Sequence, residues 1–518
     1  MKIVTVEQMQ AIERSADSAG LSYEVMMHNA GRGVADWTYQ HIFDWQCVMG
    51  LIGSGNNGGD TIIALNCLAQ RGIRTIAFLA KDRGDDPLLE DYEANGGAVV
   101  DLSGNENIEV LQAALVPGTV VLDGILGTGL KLPLRGSLQQ VMANIHKLLE
   151  KRLDLLVIAV DCPSGVDCDT GEVSEVTVRA DHTLTMAAMK QGLLRHPARS
   201  IAGDLHYVGI GIDDLSKHLS ADLPTMIDQD LIKANFPHRP DSGHKGTFGT
   251  CLVLAGSAPY TGAAYLTGKS ASRAGCGLVN MAVIKDVHRS LSGRMIEAVW
   301  TLLPDLSGAY APQGVEILQD TVPKVDAMVI GPGWGLSDQN MLFLEALLRV
   351  LPSNLPTLFD ADALKLLSKS AHWWTLLPEN AVLTPHPGEM SVLTGLEVDQ
   401  IQSNRWEIAC HYAELWNVVL VLKGAITVVA APGEPVCINP ISDAALATAG
   451  SGDVLSGVIG GLMTQGISAQ DASVLGVWIH SQAGVLARCK LGTDLSVTAL
   501  DILDCVVDAI VETKEAGG

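Results

Sequence analysis

From residue 48 to residue 212, short runs of β-branched and aliphatic residues alternate with stretches whose apolar positions recur at helical spacing. That rhythm predicts a parallel α/β sheet wrapped by helices, because a strand covered on both faces reads as a continuous apolar run. The runs place strands at 48–52, 75–80, 120–122, 155–160 and 180–186. From 213 to 239 the rhythm lapses, with Pro224, Pro237 and then Pro240, which puts a boundary near residue 222 between a unit of residues 1–222 and one of residues 223–518. The second stretch repeats the α/β pattern, with strands at 251–254, 327–330, 357–360, 381–383, 418–422 and 427–430 and helices at 262–274 and 453–465 among others. At the N-terminus, Thr5 and Gln8 form a capping-box pattern, and Glu7 and Glu13 read as polar positions of an ordinary amphipathic helix.

Composition narrows what such a chain can do. With 518 residues, 47% of them hydrophobic, it is too long for one core and too apolar for disorder. A formal net charge of −24 excludes a nucleic-acid or anionic-membrane surface as partner, so any anionic ligand must be held locally by loops. No uninterrupted apolar run reaches membrane-spanning length. The ten cysteines lack a Cys-x-x-Cys pair or a regular spacing, and Cys162 and Cys168 fall in a loop, so they read as free thiols of a cytoplasmic protein. The size suggests a homo-oligomer.

Three strings carry candidate chemistry in the first unit. The strand at 48–52 runs into Gly53-Ser54-Gly55-Asn56-Asn57-Gly58-Gly59-Asp60, with a helix expected from about Thr61, the topology of a Rossmann-type first crossover. Asp123 ends a second strand ahead of Gly127-Thr128-Gly129-Leu130-Lys131-Leu132-Pro133, and Asp161 ends a third ahead of Cys162-Pro163-Ser164-Gly165. Asn and Asp side chains at one sheet edge make either a metal site or an acid/base site with a phosphate cradle. In the second unit, Thr448-Ala449-Gly450-Ser451-Gly452-Asp453 sets a carboxylate at the mouth of a glycine-rich turn opening a helix. Such a turn aims backbone N–H groups and the helix dipole at an anion, normally phosphate, and Asp453 beside it is placed for phosphoryl transfer. Lys423 before Gly424 is placed to reach a phosphate, and His386 lies in a rigid loop between two prolines.

In their order, the first strings resemble the N-terminal epimerase domain of the bifunctional NAD(P)H-hydrate repair enzymes. The resemblance implies that Asn56, Asn57, Gly58, Gly59 and Asp60, with Gly127, Thr128, Gly129, Leu130, Lys131, Leu132 and Pro133, hold the substrate, NADHX or NADPHX. It implies that Asp161 contacts the reacting ring, where one carboxyl donating and accepting a proton would serve, and that Asn57, Asp123 and Ser164 bind a potassium ion. An all-oxygen set of this kind suits a hard cation.

From His244-Lys245-Gly246-Thr247-Phe248-Gly249 onward, the chain resembles the ADP- or ATP-dependent NAD(P)H-hydrate dehydratases, a ribokinase-like α/β branch. The strings are Tyr260-Thr261-Gly262-Ala263-Ala264, Gly331-Pro332-Gly333, Asp360-Ala361-Asp362-Ala363-Leu364, Thr384-Pro385-His386-Pro387-Gly388-Glu389, Lys423-Gly424-Ala425-Ile426-Thr427 and the Gly450 to Asp453 turn. The resemblance implies that Ala263, Gly333, His386 and Asp453 contact the hydrated dinucleotide. It assigns Lys423, Gly424, Ala425, Ile426, Thr427 and Gly452 to the adenine nucleotide, which comes with a magnesium ion that Glu389 would orient through water. Asp360 and Asp362 read instead as a strand-end turn outside the site. The chain departs from the family at His28, usually Glu; at Thr61, usually Gly; at Lys365, often Asn; and at Ile441-Ser442-Asp443, usually Thr-Gly-Asn. The expected activity is metabolite repair, epimerising the R and S hydrates and dehydrating the S form as ADP becomes AMP and phosphate. Two other readings compete: a ribokinase-like small-molecule kinase, and a noncatalytic N-terminal module that binds a ligand or assembles an oligomer.

Overall fold

The computed structural model describes residues 1–41, 47–102, 105–212 and 222–515. Residues 213–221, in the stretch where the sequence rhythm lapses, lie outside them. Backbone contacts divide the chain into two compact units, Met1–Leu223 and Pro224–Gly518.

In the first unit the apolar runs become seven parallel strands: β1 (Cys47–Ile52), β2 (Thr75–Leu79), β3 (Ala98–Asp101), β4 (Thr119–Gly124), β5 (Leu155–Val160), β6 (His182–Met186) and β7 (Asp204–Val208), in the order β3-β2-β1-β4-β5-β6-β7. Alternation within each run feeds two separate cores. Val48, Ile52, Val120 and Ile158 pack with Met9, Val34 and Leu65 on one face. Met49, Leu51, Val121 and Val157 pack with Leu111, Met142 and Ile145 on the other. The result is a three-layer unit built from α1 (Val6–Ser18), α2 (Tyr23–His41), α3 (Asn56–Gln70), α4 (Pro87–Ala94), α5 (Asn105–Ala114) and α6 (Gly136–Leu149). The Thr5–Gln8 capping box is present at the start of α1. Strand order reverses between β1 and β4, which opens a crevice beyond their carboxyl ends.

Helix α3 corrects the reading of the first glycine-rich string. It starts at Asn56, not near Thr61, with extended Gly55 as its N-cap. The glycines serve close packing rather than a loop: a Cβ at Gly58 would lie 2.1 Å from the Gly53 carbonyl oxygen, so the first helical turn sits directly on the strand end. Strands β3 and β7 are unanticipated, being short, partly exposed edge segments.

The second unit carries a ten-stranded sheet. Its strands are β8 (Thr225–Met226), β9 (Thr250–Leu254), β10 (Leu278–Ile284), β11 (Val299–Leu303), β12 (Ala327–Ile330), β13 (Thr357–Phe359), β14 (Ala381–Leu383), β15 (Val419–Leu422), β16 (Val428–Ala430) and β17 (Cys437–Ile438). The order is β8-β17-β16-β15-β14-β13-β12-β9-β10-β11, parallel except where β16 pairs antiparallel with β15 and β17. Strands β8, β10, β11 and β17 go beyond those the pattern placed; the apolar run of β10 is broken by Asn280, and the others are short or half-exposed. The helices that position the site are α7 (Thr261–Arg273), α8 (Asp362–Leu367), α9 (Pro387–Thr394), α10 (Ser451–Met463) and α11 (Ala469–Leu491), with α12 (Ala499–Glu515) closing the chain. Helices α7 and α10 lie so close that a Cβ at Gly457 would meet the Thr267 carbonyl oxygen at 2.1 Å.

Candidate active sites

In the first unit the carboxyl ends of β1, β4 and β5 converge. Asp123 is wholly buried, its two carboxylate oxygens accepting from the Ser164 hydroxyl (2.6 Å) and amide (2.8 Å). Burial pushes this carboxyl up to about 6 against those hydrogen bonds. Asn57 donates to the Leu126 carbonyl at 2.9 Å, while its buried Oδ1 has no partner among the described residues. Asn57, Asp123 and Ser164 are thus one all-oxygen cluster, and the unpartnered Oδ1 has the chemistry of a hard-cation ligand.

Beside that cluster lies a cavity of about 1020 Å³. Asn56, Asn57 and Asp60 line it, as do Gly127, Thr128, Gly129, Leu130 and Asp161. Gly58 and Gly59 are buried in the helix start, and Lys131, Leu132 and Pro133 lie outside the wall. Asp161 follows β5 with φ +65°, a left-handed conformation that costs a non-glycine residue energy and is found at functional sites. Its Oδ1 accepts from the Met186 amide (3.0 Å) and from the Lys190 ammonium. Three other acids, Glu13, Glu24 and Asp60, line the same cavity. Burial, then the charges of Asp161 and Glu13, raises Asp60 well above the usual carboxylate range, and burial likewise raises Glu13. Glu13 is therefore not merely a polar position of an amphipathic helix.

In the second unit, Gly450 (φ +90°) caps α10 and Asp453 sits in the first helical turn. Burial, reinforced by Asp360, lifts the Asp453 carboxyl to about 7 while Lys423 opposes the shift. The Lys423 ammonium lies over this turn, 3.3 Å from where a Cβ of Gly452 would stand, and binds Asp360 at 2.8 Å. Burial works against both charges of that pair, yet each holds the other ionised: Asp360 falls below its usual range and Lys423 rises above its own. Asp360 also accepts from Ser456 of α10 at 2.6 Å. It belongs to the network around Asp453 and is not a detached turn residue.

His386 is the N-cap of α9. Its Nδ1 accepts from the amides of Gly388 (3.0 Å) and Glu389 (3.3 Å), and Glu389 accepts from the His386 amide. Burial lowers its pKa, so the ring is neutral with Nε2–H as donor. Lys423 N–H donates to the Pro385 carbonyl at 2.9 Å, tying this loop to the end of β15. Ala263 and Gly333 adjoin, since a Cβ at Gly333 would lie 2.7 Å from that of Ala263. Gly424 and Ala425 are exposed, Ile426 is buried, and Thr427 donates to the Gly424 carbonyl.

The departures from the family pattern have local explanations. Thr61 is buried, donates to the Asn57 carbonyl at 2.8 Å and fills the space over Gly124. His28 lies on the cavity wall. Asp443 pairs with Arg488 at 2.7 Å, a cation that offsets the added charge. Lys365 approaches both Asp362 (3.3 Å) and Glu389 (3.8 Å). Lys190, absent from the sequence reading, leaves only a local trace, a lone lysine after the apolar run Met186-Ala187-Ala188-Met189.

Two α/β units, each gathering acids, a lysine and a glycine-rich helix start at the carboxyl edge of its sheet, define an enzyme with two catalytic modules. The family model for NAD(P)H-hydrate dehydratase matches residues 251–507, and that for the YjeF-related protein N-terminus matches residues 23–192. The bifunctional NAD(P)H-hydrate repair enzyme Nnr of Moorella thermoacetica is 36% identical over 100% of this chain and 99% of its own. That of Thermofilum pendens is 34% identical over 100% and 98%, and that of Escherichia coli 34% over 92% and 88%. The chain belongs to the bifunctional NAD(P)H-hydrate repair enzymes.

Proposed function

We propose that the first unit interconverts the R and S hydrates of NADH and NADPH and that the second dehydrates the S epimer, converting ADP to AMP and phosphate. Family membership favours dehydration over the small-molecule kinase, and an acid-lined cavity argues against a noncatalytic first unit. The observation that carries the second activity is Asp453 in the first turn of α10, its carboxyl near 7, with Lys423 over the same turn. Asp453 takes the proton of the ring hydroxyl as that oxygen attacks the terminal phosphate. The amides at the start of α10 and the Lys423 ammonium stabilise the charge that develops. The ring-nitrogen lone pair then expels phosphate as the ring C–O bond of the ester breaks, and loss of a ring proton restores the dihydronicotinamide. Glu389 has one oxygen on the His386 amide and lysines on either side, which suits water-mediated rather than direct contact with magnesium. When bound, magnesium neutralises phosphate charge.

In the first unit, Asp161 on the cavity wall serves proton transfer at the hydroxyl of the reacting ring carbon. Asn57, Asp123 and Ser164 fit potassium by donor chemistry and by the unpartnered Asn57 Oδ1. When bound, the ion balances the buried Asp123 charge. Free thiols at all ten cysteines support a cytoplasmic setting.

The deciding experiment follows dihydronicotinamide absorbance from a mixed-epimer NADHX preparation with ADP, ATP or no nucleotide, in potassium and magnesium. Full nucleotide-dependent recovery is expected. Recovery stopping near half silences the first unit, and none with either nucleotide sinks the dehydratase reading.

A further inference from the structure

Asp161 is held in a way that a freely donating and accepting carboxyl would not be. Both of its anchors fall on Oδ1, namely the Met186 amide at 3.0 Å and the Lys190 ammonium. Oδ2 has no hydrogen-bond partner among the described residues. The Asp161 side chain retains 14% exposure and lines the cavity, whereas Lys190 behind it is 1% exposed and does not. The three ammonium protons of Lys190 have three acceptors: Asp161 Oδ1, the Met186 carbonyl at 2.8 Å and the Thr185 hydroxyl at 3.3 Å. A buried lysine so completely engaged neither touches a ligand nor turns toward one. What it does is fix one oxygen of a carboxylate that lines the cavity, leaving the other without a protein partner among the described residues.

On the epimerase reading of this unit, we propose that Lys190 is the positioning residue that holds Asp161 as proton acceptor, and that Asp60 on the same cavity wall is the proton donor. Asp60 is suited to that part because it lines the same cavity as Asp161, and burial with its acidic neighbours Asp161 and Glu13 raises its carboxyl, which favours the proton-carrying form. In the forward step the bond between the ring carbon and its hydroxyl oxygen breaks, and the Asp60 proton goes to that oxygen, which leaves as water. The ring-nitrogen lone pair forms the C=N bond of an iminium. Water then adds to the opposite face of the same carbon as its proton passes to Asp161 Oδ2. Solvent in the cavity returns that proton to Asp60. Nothing is oxidised or reduced, and inversion at one carbon is the whole result.

The test uses the full chain with purified R epimer in potassium and no nucleotide, with chromatography following appearance of the S epimer above the uncatalysed rate. ADP-dependent dehydration of S epimer by the same preparation reports that the chain is intact. Lys190→Met is expected to lower kcat for epimerisation by about 100-fold or more with KM within about threefold, as loss of positioned acid–base catalysis does. Asp60→Asn should lose a similar factor. The double variant Asp161→Asn/Lys190→Met should be no slower than Asp161→Asn alone, because Lys190 acts only through Asp161. A Lys190→Met enzyme within twofold of the parent kcat, or losses that multiply in the double variant, overturns the role of Lys190; an active Asp60→Asn enzyme overturns that of Asp60. Should Lys190→Met not accumulate, Lys190→Arg keeps the charge but displaces the carboxylate, and full activity there also overturns the proposal. A parent enzyme that does not interconvert the epimers instead sinks the epimerase reading itself.

Discussion

Asp453 makes the sharpest demand on a single side chain, since a base must be ionised to work. With its carboxyl near 7, kcat/KM for dehydration should climb about tenfold per pH unit up to about 7 and then level, as a pH–rate profile with saturating ADP would show. Asp453→Asn should cost about 10²–10⁴-fold and remove that pH dependence. Asp360 was set aside in the sequence because its partner Lys423 is 63 residues away. Asp360→Asn removes the nearest counter-charge of Lys423 and leaves it only the longer pairing with Glu389 at 3.9 Å, so the KM for ADP should rise together with a fall in kcat, measured by steady-state kinetics. Lys190 was illegible for the same reason, being 29 residues from Asp161. Asp161, Asp123 and Asp453 were legible because strand ends and glycine-rich turns mark such residues locally.

At the scale of elements, the contact between α7 and α10 sets where the Asp453 turn stands. Gly457 lets the two backbones approach, and an added methyl would also meet the Ser270 hydroxyl at 2.0 Å. A main-chain carbonyl cannot swing aside, so Gly457→Ala should destabilise the second unit by about 1–3 kcal/mol, read as a lower urea midpoint. At Gly450 the constraint is conformational: φ +90° excludes other residues without strain, so Gly450→Ala should weaken nucleotide binding more than it changes secondary structure. The buried strands were readable because both faces are covered and their runs are mainly apolar, as in Leu155–Val160. Edge strands such as β3 were not, since pairing with β2 rather than composition makes them strands.

For the whole molecule, acid is the informative stress. In place, buried His480 donates its Nε2–H to the Ser451 carbonyl at 2.9 Å and takes up a further proton only near 4, because burial disfavours its charge; once unfolded it does so near 6.5. Between those values the unfolded chain binds more protons, so stability falls as pH drops from about 6.5 to about 4, by about 3 kcal/mol for this residue. His206, lowered to about 4 by burial and then by His182, adds a loss of the same sign in the first unit. Urea melts at pH 7 and pH 5 should show the second unit losing stability, and His480→Gln should flatten that slope.

By itself the sequence determined the class of each unit, the central strands, the presence of a glycine-rich turn before a helix in each unit and the acids that end strands, because these are written in local periodicity and local turn chemistry; where the first such helix begins it did not determine. Only the tertiary structure decided what those acids are paired with. Asp161 meets Lys190, Asp360 meets Lys423 and Ser456, and Asn57 meets Asp123 and Ser164 through Leu126, across separations that no local pattern encodes. Protonation follows from those pairings and from burial, both properties of the packed sheet edges, so the division of acid and base roles among the carboxyls became readable only when the strands were brought side by side.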